Sequence, residues 1–311
     1  MTIGIPRALG YHRYGTLWET FFKELGLSYV VSGESNRHIL AGGVKHAVDE
    51  SCLPLKLYLG HAASLLDRCD LLLVPRFERL GKRDEFCVRF WGLPDTVRST
   101  FTDTDLLTYE LKSPKPRAQQ RAFLRMGYAL GIGSLYTAKA YQRALTQQLE
   151  ADFRRLSRGR VYLRTRLPKI LIAANPYITY DPLLGGTVAR LIRDLGAVPI
   201  FVDGWPKATC REEASALSTD LYWHFSREIL GAIHLARERV DGVILLTAFP
   251  CGSDCLSSEL VLRRVDKLPV TQILLDEHQS HTGLQTRLES FLDMIRSRGG
   301  VPPPPAPGDP L

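Results

Sequence analysis

Short, uninterrupted apolar runs alternate with stretches of helical spacing, and the alternation occurs twice along the chain. In the first series "TIGIPRAL" (2–9), "SYVVS" (28–32) and "DLLLVP" (70–75) read as strands. Helices are expected over 16–25, where Leu17, Phe21, Phe22 and Leu25 share a face, and over 54–66. In the second series "KILIAAN" (169–175), "AVPIFVD" (197–203), "GVILLTAF" (242–249) and "PVTQILLDE" (269–277) read as strands. Helical stretches fall near 185–195, 221–239, 255–264 and 282–298. Strands that are apolar at successive positions are buried on both faces, as in parallel sheets covered by helices on either side. The expected fold is therefore α/β: two Rossmann-like domains whose parallel sheets face a cleft, plus connecting helices. The boundaries drawn are an N-terminal α/β domain over 1–115, connecting helices over 116–165 and a C-terminal α/β domain over 166–298. The Pro-rich tail "GGVPPPPAPGDPL" (299–311) is expected to be extended and disordered.

Composition narrows the class. A chain of 311 residues with 45% hydrophobic and 23% charged content is that of a soluble globular protein. No apolar run approaches the roughly 18 residues of a membrane span. The start "MTIGIPRALG" lacks the basic-then-apolar layout of a signal peptide. A cytoplasmic location with no membrane partner is expected, and there six cysteines point to metal ligands, reactive thiols or core residues rather than a disulfide framework. The net charge of +7 is spread over most of the chain. Its clusters "RTRLPK" (164–169) and "RLGKRDEF" (79–86) are short, which argues against nucleic acid but leaves open a basic rim around an anionic ligand. No phosphate-loop motif is present, and the G-x-G of "GIGSLYTAKA" (131–140) sits inside a helical region rather than after a strand.

The cysteines divide by position. Cys69, in "LLDRCDLLLV", reads as a small buried hydrophobe, and Cys210, in the polar stretch "WPKATCREEAS", as a bystander thiol. Cys52 precedes Pro54 at the expected start of a helix, where N–H groups favour a thiolate. Cys87 and Cys251 each lie beyond the carboxyl end of an expected strand, where α/β folds place their ligands. Gaps of 35 and 164 residues match neither a ferredoxin run nor a zinc finger, so spacing alone does not join the three. His61 could face the same cleft from the helix after Cys52, the alternative for it, as for His278 and His281, being a structural or surface role. A zinc site built from His278, His281 and Cys251 has no ligand spacing behind it.

Read in order, "IGIPRAL", "LWETFFKELG", "DESCLPLKLYLGH", "FCVRFWGLPD", "NPYITYDPLLG", "YWHFSREILGA", "DGVILLTAFPCGSD" and "LLDEHQSHTGLQTRLESFLDMI" resemble the 2-hydroxyacyl-CoA dehydratase superfamily over residues 1–297. The nearest branch is that of the acyl-CoA dehydratase activase-related proteins. The resemblance implies α/β domains around a cleft and three cysteines, Cys52, Cys87 and Cys251, holding a [4Fe–4S] cluster or one half of a double-cubane [8Fe–9S] cluster. It also implies a low-potential redox protein of an anaerobic pathway, served by an ATP-dependent activator or reductase and paired with an identical or homologous subunit. The alternatives are a non-catalytic accessory subunit and an α/β protein that binds an anionic small molecule without a cluster. Two departures stand out: Val88 follows Cys87 where similar sequences have proline, and Cys255 stands where they have serine. Cys255 is thus either a fourth ligand or a small helix residue. Arg7, Arg13, Arg76, Arg79 and Arg89 are the candidates for a basic rim.

Overall fold

The computed structural model describes residues 1–81, 83–113 and 117–299. From residue 300 onward the expected Pro-rich tail lies outside the described residues. Two four-stranded parallel sheets organise the chain. In the first, the strands run in the order Ser28–Val31, Thr2–Ile5, Leu71–Leu73, Leu106–Leu107. In the second the order is Val198–Phe201, Lys169–Ala173, Gly242–Ala248, Val270–Leu275. Each sheet thus takes its own strands in the order second, first, third, fourth. The crossovers diverge on either side of the first strand, and ligands of such sheets sit beyond the strand ends at that divide. Helices Ala118–Ala129 and Ser134–Tyr162 connect the two series, the longer one lying along helix Tyr11–Glu24.

The α/β expectation holds, and its elements shift for identifiable reasons. The first strand stops at Ile5 because Pro6 has no N–H for the ladder. Leu9 then takes a φ of 47°, left-handed in a residue type that ordinarily avoids that region. The next helix begins at Tyr11, five residues before the apolar spacing suggests. Its first turn carries His12 and Arg13, polar side chains that are nonetheless buried. Helix Arg37–His46 is not predicted by the sequence pattern. Its Gly42-Gly43 pair disguises a helix that Asn36 caps by accepting the N–H groups of His38 and Ile39.

Gly43 and Gly60 allow two helices to touch. A Cβ on Gly43 would lie 1.8 Å from the carbonyl oxygen of Lys56, and one on Gly60 would lie 2.0 Å from that of Ile39. Helices Arg37–His46 and Leu53–Ala63 therefore cross backbone against backbone, and the crossing fixes the helix that Cys52 begins.

The apolar interior crosses from one series to the other. One cluster joins Ile3, Ile5 and Leu72 of the first sheet to Ile170, Ile172, Ile244 and Leu246 of the second. A further cluster, with Leu171, Val243 and Leu245 against Leu230 and Ile233, covers the other face of the second sheet. Odd and even strand positions thus enter different clusters, the period of two expected of a strand. Among the described residues no helix is long and apolar enough to cross a membrane.

Polar bonds lock the same junction. Arg13, 6% exposed, is paired with Glu228, 3% exposed, and the Arg211 guanidinium donates to the other Glu228 oxygen at 2.6 Å. On the long helix, Gln148 accepts the N–H of Leu17 at 3.1 Å and donates to the carbonyl of Arg13 at 3.0 Å. Its amide bridges two groups that are helical partners four residues apart.

Gly60→Ala is expected to force the two helices apart and to destabilise the protein by about 2–3 kcal/mol, the cost of overpacking a backbone contact. Urea unfolding read by circular dichroism checks this, with Gly33→Ala, where a Cβ meets nothing within 4 Å, as the control.

Candidate functional site

Cys52, Cys87 and Cys251 each stand as the N-cap of a helix: Leu53–Ala63, Val88–Trp91 and Gly252–Arg264 respectively. Their backbones are extended, and none of the three side chains caps its own helix. The carbonyl of Cys52 accepts the N–H of Leu55 at 2.9 Å, that of Cys87 the N–H of Phe90 at 2.9 Å, and that of Cys251 the N–H of Cys255 at 3.0 Å. Residues 35 and 164 positions apart in the chain thereby come to line one cavity of about 540 Å³.

Two backbone bonds assemble it. The N–H of Leu53 donates to the carbonyl of Phe249 at 2.9 Å, tying the start of the Cys52 helix to the segment before Cys251. The N–H of Glu85 donates to the carbonyl of Tyr222 at 2.9 Å, tying the turn before Cys87 to the second half. Cys251 itself comes after strand Gly242–Ala248, beside the first strand of its sheet. That is the divide at which the topology places a ligand.

The walls are mainly aromatic and apolar. Phe86, Phe90, Trp91, Tyr177 and Trp223 line the cavity, with Leu9 held by its left-handed backbone. Sequence reasoning does not single these out. "FCVRFW" and "NPYITY" carry the signal only as aromatic residues near a cysteine or a strand end. Behind Cys251, Asp254 is 5% exposed, accepts from Asn175 at 2.7 Å through one oxygen, and among the described residues has no hydrogen-bond partner for the other.

Burial pushes all three thiols above the usual range. At Cys52 the N–H of Leu55 pulls the other way, and at Cys87 those of Arg89 and Phe90 do so. At Cys251 the Asp254 carboxylate adds to the rise. A thiol kept protonated by burial is a poor nucleophile, and a bound cation would reverse its state.

The remaining candidates lie elsewhere. Cys255 is exposed and does not line the cavity. Cys210 stays apart from the cavity despite its polar neighbours in sequence: it is 1% exposed, where helices Lys207–Glu213 and His224–Ala236 touch at Gly231. Cys69 is half-buried, with its thiol donating to the carbonyl of Leu65 and packed against Gly4. His61 does not face the cysteines. It is fully buried between Ser32 and Ser35, at 2.9 Å from each, because its helix turns that face toward the first sheet. His278 and His281 are also outside the cavity lining. Of the five arginines, Arg89 alone lines it; Arg13 is committed to Glu228, Arg7 to Ser32, Arg76 to Asp95 and Arg79 to Glu85.

A second polar group joins the two halves without reaching that cavity. Ser35 donates to Asp181 and also bonds to His61, and His12 lies 4.0 Å from the same Asp181 oxygen. Burial raises Asp181 to about 6 and lowers His61 to about 4 and His12 to about 3.

Fold and site together define a two-sheet parallel α/β protein with a cysteine-lined cavity at the junction of its halves. The chain belongs to the family described as the CoA enzyme activase uncharacterised domain (DUF2229), whose model matches residues 2–204. That agrees with the activase-related branch. The matched segment contains Cys52 and Cys87 and ends before Cys251. No curated protein matches the chain. Among solved structures, a crystal structure of ZnuA aligns at 11% identity over 94% of this chain and 98% of its own, with a TM-score of 0.27. The solute-binding protein FpvC from Pseudomonas aeruginosa in complex with Mn2+ aligns at 11% identity over 96% and 99%, with a TM-score of 0.31. Similarity at this level supports no argument about this chain.

Thiol reactivity and pH dependence both test this arrangement. In the protein as purified in air, iodoacetamide at pH 8 is expected to label Cys255 first and Cys210 last, because Cys255 is exposed whereas Cys210 is shut off from solvent; peptide mass spectrometry gives the order. Asp181 binds its proton more tightly when folded, so its contribution to stability is full below about pH 4 and is lost as pH rises through about 6. His12 and His61 act oppositely, since their folded values lie below the unfolded one. Asp181→Asn therefore removes a contribution that falls with pH. Relative to the parent, the variant's unfolding free energy is expected to rise between pH 4 and 6, by up to about 1.4 kcal/mol per pH unit. Urea titrations at a series of pH values measure it.

Proposed function

We propose that Cys52, Cys87 and Cys251 hold a [4Fe–4S] cluster, and that the chain is a redox component receiving low-potential electrons from a separate ATP-hydrolysing reductase. The observation that carries this reading is the convergence of these three cysteines on one cavity, each at a helix N-terminus. The donor set fits. It is all sulfur, as iron–sulfur clusters prefer, and the thiols stand beside helix-terminal N–H groups that stabilise negative charge. Among the described residues no group of three His, Cys, Asp or Glu side chains is disposed to hold a single metal ion. A four-iron cluster spreads its thiolates over a wider span than one ion does. With Cys255 outside the cavity, three ligands leave one iron free for an external ligand. A double-cubane [8Fe–9S] assembly is the larger form of the same arrangement.

When bound, such a cluster supplies one-electron chemistry at low potential. The chain's own part is to hold and insulate it. Phe86, Phe90 and Trp223 give the thiolates apolar walls, and N–H groups sit where negative charge gathers. The activase-type family of the matched segment supports a partner within an activation system, and the chemistry assigned to it here rests on the sequence resemblance to the 2-hydroxyacyl-CoA dehydratase superfamily. A cytoplasmic place in an anaerobic pathway agrees with the oxygen sensitivity of an iron with an open position.

Anaerobic reconstitution followed by iron and sulfide analysis tests the proposal. About four iron and four sulfide per chain are expected for one cubane. Cys52→Ser, Cys87→Ser and Cys251→Ser should each lose most of the iron, while Cys255→Ser retains it. No iron in the parent protein, or unchanged iron in the three variants, overturns it.

A further inference from the structure

The charged groups lining the cysteine cavity are few. Apart from the thiols, the ionisable side chains there are those of Glu85, Arg89, Tyr177 and Tyr222. Glu85 is committed to Arg79. Tyr177 is buried, and burial holds its hydroxyl well above the usual range, so it stays neutral. The Arg89 guanidinium has no hydrogen-bond or ion-pair partner among the described residues, and its charge favours the thiolate forms of Cys52 and Cys87. It is the cavity's uncommitted charge, and it is positive.

Size and surface add to this. About 540 Å³ falls in the range of small-ligand pockets, and it is lined by flat aromatic faces. A single guanidinium matches a carboxylate through two parallel N–H donors. The N-termini of helices Leu53–Ala63 and Gly252–Arg264 also end at this cavity and favour a negative charge in it.

We propose that the cavity takes a small organic carboxylate with a planar or branched apolar body, its carboxylate bound by Arg89 and its body lying against Phe90, Trp91 and Trp223. This rests on the reading of the cysteine cavity as the functional site, and it names the class of molecule presented there. Arg89 is the specificity-determining residue. The aromatic walls accept an apolar body of either shape, and the guanidinium rejects its neutral counterpart. Arg89 is exposed at the cavity wall, so its replacement leaves the fold intact.

Isothermal titration calorimetry with benzoate, isovalerate and benzamide tests the assignment, on protein before and after anaerobic reconstitution, with iron measured on the same samples. Saturable binding of benzoate or isovalerate is expected, with benzamide at least about tenfold weaker. Arg89→Gln should weaken benzoate by about tenfold or more, and Arg89→Lys by less, with the unfolding midpoint unchanged. Equal binding of benzoate and benzamide, binding indifferent to Arg89→Gln, or no saturable binding of either carboxylate overturns the proposal. Iron content reports on the cluster separately: iron without carboxylate binding rejects this inference alone, and Arg89-dependent binding without iron rejects the cluster alone.

Discussion

The burial of Arg13 against Glu228 is the constraint on which the arrangement of the two halves depends. Arg13 comes from the first helix of the first series, and Glu228 from helix His224–Ala236 of the second. Burial disfavours both charges, yet Glu228 holds the Arg13 pKa up, and Arg13 holds the Glu228 carboxyl below the usual range. Removing one partner of such a pair costs about 3–5 kcal/mol, because the other is left uncompensated in a low dielectric. The pair therefore penalises every arrangement of the halves that separates them. Arg211 and His224 surround the same carboxylate, and Arg227 reaches Asp84 beside the Cys87 turn at 2.8 Å.

The site inherits its precision from that junction. Cys52 and Cys87 belong to the first series and Cys251 to the second, so no local element could bring all three together. The bonds from Leu53 to Phe249 and from Glu85 to Tyr222 set the register at the cavity itself. Further out, Lys56 pairs with Glu277 at 2.6 Å, and Arg37 donates to the carbonyls of Glu277 and Gln279, both at 2.9 Å. Backbone-to-backbone bonds at the cavity and ion pairs around it leave the thiols little freedom to separate.

Much of the fold is legible in the chain. The seven strands read from continuous apolar runs are all present; the central ones, such as Gly242–Ala248, are buried on both faces, whereas the edge strands Ser28–Val31 and Val270–Leu275 are partly exposed. The fourth strand of the first sheet, Leu106–Leu107, escapes such a reading because two residues carry no periodicity. Helix Arg37–His46 is hidden by Gly42 and Gly43, which a propensity argument counts against a helix. Its second glycine is required by a crossing that exists only after folding. The orientation of His61 and the depth of Cys210 are not legible in the sequence for a related cause: a polar residue, or a cysteine among polar neighbours, gives no sign of which way its helix turns.

What the sequence determined by itself is the α/β class, the doubled strand series and the identity of three cysteines at the ends of elements, because these depend on local patterning and chain order. What only the tertiary structure decided is that the three share one cavity, that Cys255 stands outside it, and that Arg89 is the arginine left uncommitted there. Those are matters of distance between residues far apart in the chain. Distance is set by the burial of apolar faces and of the Arg13–Glu228 pair, which no window along the sequence contains.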